Sequence, residues 1–188
     1  MRISISGPPG SGKTTVCMLV ADELGYDYVL VGQVFRQMAL ERKMDLETFD
    51  RLAEEDETID RELDERMLSL ASANENIVLE GRLTGAMLKS RKVVAFAAFV
   101  TADERVRAER IAKRESKNVD SVLREMQTRE RSERKRYLAY YGMNPYDRAI
   151  YDVWVDSTNI SAEKVAEIIV SKLRTVLADD ARQVKEGQ

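Results

Sequence analysis

Two periods alternate along the chain: short apolar runs suited to strands, and stretches with apolar residues three and four apart suited to helices. Residues 2–6 form the first strand-like run, and an amphipathic segment from Lys13 to Leu24 follows, with Gly25 placed to close it. Tyr28-Val29-Leu30-Val31 reads as a second strand ending at Gly32, after which helical patterns cover 33–42, 46–55 and 58–72. Ile77-Val78-Leu79 predicts a buried strand ending at Glu80-Gly81, and the nearly unbroken apolar run 93–100 predicts a central strand covered on both faces. A charged helix begins near Asp103, where Asp103 and Thr101 offer caps. After the polar break 116–118 another helix runs from Asp120 toward Tyr140. Residues 151–155 make a fifth strand, 161–177 a final helix capped by Ser161, and 179–188 a tail expected to fray. Five apolar runs separated by helices call for a parallel sheet, because parallel neighbours need crossover connections. The expected fold class is α/β, in one domain spanning 1–178, and no internal repeat is visible.

Composition narrows the chemistry. The chain has 188 residues, no histidine and one cysteine, which excludes Ser-His-Asp triads, Cys-His dyads, most zinc sites and any disulfide within the chain. Cys17 falls within the first helix and reads as a buried thiol, in keeping with a reducing cytoplasm. A formal net charge of −3 argues against a general nucleic-acid binder, and no run approaches the roughly 20 apolar residues of a membrane span. A cytoplasmic monomer without nucleic-acid or membrane partners is expected.

Gly7-Pro8-Pro9-Gly10-Ser11-Gly12-Lys13-Thr14 lies between the first strand and the first helix and meets the pattern G-x-x-x-x-G-K-[ST], with Thr15 directly after it. The glycines let backbone N–H groups curl inward around phosphate oxygens at the start of a helix. Lys13 supplies a mobile positive charge for the β- and γ-phosphates, and Thr14 a hydroxyl for Mg²⁺. ATP is therefore the expected co-substrate and Mg²⁺ the expected ion.

Arginines indicate where the phosphoryl group goes. Phosphoryl transfer needs donor and acceptor held in line with the moving charge neutralised, a task suited to the planar guanidinium fork. Arg36, one turn beyond Gly32, and Arg82, directly after Glu80-Gly81, stand at the carboxyl ends of strands, where ligands of open parallel sheets gather. Between Glu104 and Arg136 there are twelve Lys or Arg against seven Asp or Glu, whereas 41–66 holds five against twelve. Arg110 and Arg114 share one helix face, and Arg129, Glu133 and Arg136 share another. Solvated salt-bridge laces would give a similar composition. A mobile helix pair, about 110–136, closing arginines over the phosphates would instead exclude water.

These motifs resemble the nucleoside monophosphate kinases, and among them the short cytidylate kinases, over Met1 to about Leu177. Gly7 to Thr15 resembles their ATP loop, Gly32-Gln33-Val34-Phe35-Arg36 their Gly-x-x-aromatic-Arg acceptor motif, and Glu80-Gly81-Arg82 their Asp-Gly-Arg. Residues 129–136 are similar to the arginine-rich stretch after the lid. The resemblance implies a P-loop three-layer fold with helical acceptor-binding (about 33–72) and lid segments. It also implies phosphate contacts from Arg129 and Arg136, a ribose or arginine partner in Glu133, and a magnesium-bound water on Glu80. Lys13, Arg110, Arg114 and Arg129 are then the catalytic candidates, and Gly32, Arg36, Gly81 and Arg82 acceptor ligands. Asp60, Arg61 and Asp64, on the helix expected to roof the acceptor, are candidate base readers. Val31 departs from the small hydroxyl residue common in the family, Glu80 replaces aspartate, and the insertion that helps longer members grip cytosine is absent. The implied reaction is ATP-dependent phosphorylation of CMP and dCMP. A kinase for UMP, AMP or a small metabolite, or an ATPase switch gripping RNA or protein, are the alternatives.

Overall fold

The computed structural model describes the backbone of residues 1–142, 144 and 146–186, and the side chains of all of these except 47, 132, 136, 140, 141, 180, 181 and 183–186. The elements run β1 (Ile3–Ser6), α1 (Lys13–Leu24), β2 (Asp27–Leu30), α2 (Val31–Glu41), α3 (Leu46–Glu55), α4 (Glu57–Ala73), β3 (Ile77–Gly81), α5 (Thr84–Ser90), β4 (Phe96–Thr101), α6 (Glu104–Glu115) and α7 (Val119–Tyr141). A 3₁₀ turn at Arg148–Ile150, β5 (Val153–Asp156) and α8 (Ala162–Glu186) complete the order. The strands pair in parallel in the order β2-β3-β1-β4-β5, so β1 is central. Ser6 stands level with Gly81 on β3 and with Phe99 on β4, which brings the segments after β1 and β3 out side by side.

Alternation along the strands assigns each face its helices. Ile3 and Ile5 point to one side, where Val16 and Val20 of α1 and Val165, Ile169 and Leu173 of α8 complete the main core. Ser4 and Ser6 point to the other side, where α5 approaches so closely that Gly85 N–H donates to Ser6 Oγ at 3.0 Å. A Cβ on Gly85 would lie 2.9 Å from Tyr151 Cε1, so this crossing tolerates only glycine. Met67 and Ala71 of α4 with Leu79 of β3 and Leu88 of α5 form a second core on that side. Two smaller clusters stand apart from the sheet. One joins α2, α3 and α4 through Met38, Phe49, Ala53 and Ile59, and the other joins α6 to α7 through Ala108, Ile111, Val122 and Met126. Burial of each large apolar side chain in them contributes about 1.5–3 kcal/mol, enough to hold two or three helices together.

Several boundaries differ from the sequence reading. Gly32 lies inside α2, because β2 ends at Leu30, level with Glu80, and Val31 already takes helical geometry. Helix α5 was not anticipated. Thr84 to Leu88 are all buried, so this helix shows no polar face to mark its period. β4 begins at Phe96 rather than 93, since Val93 N–H caps α5 on the Leu88 carbonyl and Val94 is 76% exposed. The expected frayed tail is helical through Glu186, with no glycine or proline between Ser161 and Glu186 to stop α8 earlier. Among the described residues, no helix is long and apolar enough to cross a membrane.

Candidate active site

The loop between β1 and α1 is held from behind. Gly10 has φ +77°, and a Cβ there would meet the Arg107 carbonyl at 2.6 Å, so only glycine fits between loop and α6. Three successive loop carbonyls accept from outside the loop: Pro9 from Arg107 Nη1 at 3.1 Å, Gly10 from Arg110 Nη1 at 3.5 Å, and Ser11 from Ser157 Oγ at 2.8 Å. Gly12 provides a left-handed start to α1 without a side-chain cap, which leaves the first helical N–H groups for an anion. Pro8 and Pro9 also rest near an aromatic stack in which Phe99 lies face to face with Trp154 at 3.9 Å and Tyr151 packs 4.9 Å from Phe99.

Two-residue alternation places Glu80 on the same face of β3 as Val78, toward α1. Lys13 Nζ accordingly lies 3.4 Å from Glu80 Oε1 and 3.3 Å from the Pro8 carbonyl. Burial pushes the Lys13 ammonium down to about 8, Glu80 opposes that shift, and Arg82 adds to it. The other β3 face presents Gly81, whose missing side chain leaves room for Val31 and Thr84. Arg82 follows, partly buried and ion-paired with Glu133 of α7. Desolvation lowers its guanidinium to about 10, with Tyr137 acting in the opposite sense and Arg129 in the same. Arg129 reaches from α7 to Glu133 at 3.1 Å and to Asp50 of α3 at 3.4 Å, spanning the gap between the two small helical clusters.

A cleft of about 720 Å³ opens among these groups. From the loop it is lined by Pro9, Gly10, Gly12, Lys13, Thr14 and Thr15, and from the acceptor side by Gly32, Arg36, Asp60, Asp64, Glu80, Gly81 and Arg82. Arg114, Arg129 and Glu133 border it from α6 and α7. Gly7 and Pro8 instead border an adjoining space of about 20 Å³ shared with Phe99, Arg82 and Glu133, and Ser11 is buried within the loop. Two candidates stand elsewhere. Arg61 is turned about 100° from Asp60 on α4 and points to solvent, pairing with Glu57 at 3.2 Å. Arg110 does not line the cleft: its Nη2 donates to the Ser157 carbonyl at 2.7 Å and its Nη1 to Ser157 Oγ at 3.0 Å. The side chain of Arg136 lies outside the described residues. Phe35, Asp50, Thr84 and Tyr137 also line the cleft and were not singled out from sequence. Asp50 gives no local signal, because its partner Arg129 is 79 residues away. Phe35 did carry one, as the aromatic residue before Arg36.

The lining sets an anion-binding loop with Lys13 against four guanidinium groups, those of Arg36, Arg82, Arg114 and Arg129. Glu80 and Thr14 offer hard oxygen donors beside the loop, and the described residues hold no cluster of three acidic, cysteine or histidine ligands that would bind a metal unaided. That donor set fits Mg²⁺, which takes few protein ligands and keeps phosphate and water for the rest.

Comparisons with known proteins place the chain among kinases. Residues 2–159 match the Cytidylate kinase-like family. A protein named cytidylate kinase from Archaeoglobus fulgidus is 42% identical over 170 residues, covering 90% of this chain and 93% of that protein. Its namesake from Pyrococcus abyssi is 43% identical over 167 residues, covering 89% and 90%. Among solved structures, shikimate kinase from Acinetobacter baumannii superposes with a TM-score of 0.60 at 18% identity, over 95% of this chain and 93% of that one. A gluconokinase from Sinorhizobium meliloti gives 0.59 at 19% identity, over 97% and 96%. The two structures share the fold, a parallel sheet with helices on both faces.

Proposed function

The chain belongs to the cytidylate kinase-like family, and from that premise we propose that it transfers the terminal phosphoryl group of ATP to CMP, and to dCMP, giving ADP and the diphosphate. The observation that carries the reading is a single cleft lined both by the loop with Lys13 and by Arg36, Arg82 and Arg129. An oxygen of the acceptor phosphate attacks the γ-phosphorus in line as the bond to the β,γ-bridging oxygen breaks. The acceptor oxygen needs no protein base, since a phosphate monoester has its second pKa near 6. Lys13 and the loop N–H groups hold the donor, Arg36 and Arg82 the acceptor phosphate, and Arg114 and Arg129 neutralise the group in transit. Thr14, and Glu80 through water, would hold Mg²⁺, which when bound screens the charge on the donor phosphates.

Helices α2–α4 act as the acceptor-binding segment and α6–α7 as the lid. Asp60 and Asp64 share a face of α4 and line the cleft, so a carboxylate there can accept from the N4 amino group of cytosine. Glu133 serves the ribose or keeps Arg82 and Arg129 in place. We further propose that the protein acts as a cytoplasmic monomer without nucleic-acid or membrane partners.

A panel of acceptors with ATP and Mg²⁺ tests the reading. ADP formation should be fastest with CMP and dCMP and should stop when the metal is chelated. Equal rates with AMP, GMP or no acceptor would refute the assignment.

A further inference from the structure

Arg107 belongs to none of the roles above, yet it is a nearly fully buried charge directly behind the donor loop, only 6% exposed. Its Nε donates to the Ala102 carbonyl at 3.1 Å, which anchors the guanidinium to the end of β4. Its Nη1 donates to the Pro9 carbonyl at 3.1 Å and pairs with Glu130 Oε1 of α7 at 2.5 Å. A buried guanidinium is costly unless its donors are satisfied, so its placement here calls for a reason. Helix α6 would bury an apolar residue at this position at lower cost, next to Ala108, Ile111 and Ala112.

The planar trans peptide supplies that reason. The C=O of one residue and the N–H of the next point in opposite directions. Holding the Pro9 carbonyl toward α6 therefore turns the Gly10 N–H to the opposite side, where Gly10, Gly12 and Lys13 line the cleft. The Arg107 backbone also closes the space behind Gly10, which keeps the loop from relaxing backward. We propose that Arg107 is a positioning residue that orients the donor-phosphate loop by fixing the Pro9–Gly10 peptide, and that through Glu130 it ties that orientation to the lid helix α7. It acts on the donor through the loop and touches neither substrate.

This inference rests on the phosphotransfer reading for its kinetic consequence, but not for its binding consequence. ATP binding to the Arg107→Met variant should therefore be measured by calorimetry with MgATP alone, beside circular dichroism to confirm the fold. An oriented hydrogen bond to a charged group is lost, so ATP binding should weaken about tenfold or more, with the KM for the acceptor within about twofold of the parent. The Arg107→Lys variant should recover part of the ATP affinity, because an ammonium can reach some of the same acceptors. If Arg107→Met does not fold, Arg107→Lys carries the test, and a weakening of about threefold or more with unchanged acceptor KM supports the role. ATP binding altered by less than about threefold in a folded variant, or equal losses for both substrates, overturns it. Failure of CMP as acceptor would leave the ATP titration, and so this inference, unaffected.

Discussion

ATP affinity should fall as pH rises through 8, because Lys13 has to carry its proton to hold the donor phosphates. In the unliganded protein burial brings its pKa to about 8. A bound triphosphate sets several negative charges beside the ammonium and raises that value again. Free protein is then about 90% protonated at Lys13 at pH 7 and about 10% at pH 9, so the apparent dissociation constant should rise roughly tenfold between them. ATP itself is almost fully ionised over this range and adds little slope. At pH 8 binding should draw about half a proton from solution, read as a heat that varies with the ionisation enthalpy of the buffer. The sign for folding is opposite. The unfolded chain keeps this proton up to about 10.5, so the residue's contribution to native stability rises between pH 8 and 10.5 while ATP affinity declines. The Lys13→Arg variant, whose guanidinium stays charged, should bind with a flat profile. A dissociation constant that does not move between pH 7 and 9, with no buffer-dependent heat, would refute the role given to the Lys13 proton.

Replacing Arg36 or Arg82 by alanine should raise the acceptor KM by about tenfold or more and leave ATP binding in calorimetry near the parent value, since both line the acceptor side of the cleft. A Gly81→Ala substitution would set a Cβ 2.5 Å from Thr84 Oγ1 and 2.6 Å from Val31 Cγ2. The displaced contacts should cost about 1–3 kcal/mol, visible as a lower denaturant midpoint at unchanged slope.

Features with a local physical cause were legible in the sequence. Helix α1 runs from Lys13 to Leu24 as expected, because left-handed Gly12 and Gly25 bound it at both ends. The parallel sheet followed from apolar runs separated by helices, and Lys13, Arg36, Glu80 and Arg82 could be placed because each lies at a strand's carboxyl end or in the loop or first helical turns that follow it. Features decided by distant partners were not. Five successive residues of the seven in α5 are buried, which hides its period, and the bridge from Asp50 to Arg129 joins two helices that no sequence spacing brings together. Arg110 was expected at the phosphates because it shares a face with Arg114, but Ser157, from the other end of the chain, holds it at the back of the loop. Arg107 did leave a trace, as a charge on the apolar stripe Ala108-Ile111-Ala112, and such a charge on a core-facing stripe marks a position where tertiary structure supplies the partner.

The aromatic stack behind the loop equips the chain with an optical gauge. Trp154 is its one tryptophan, with a ring that lies on Phe99 and under the Arg148 guanidinium at 4.9 Å. Phe99 in turn borders the same small space as Gly7, Pro8 and Pro9. Indole emission responds to nearby charge and packing, so occupation of the donor loop can be followed in the native protein without a label. Arg82 and Glu133 border that space too, so the same signal can report on the acceptor end of the cleft as well as on the donor loop.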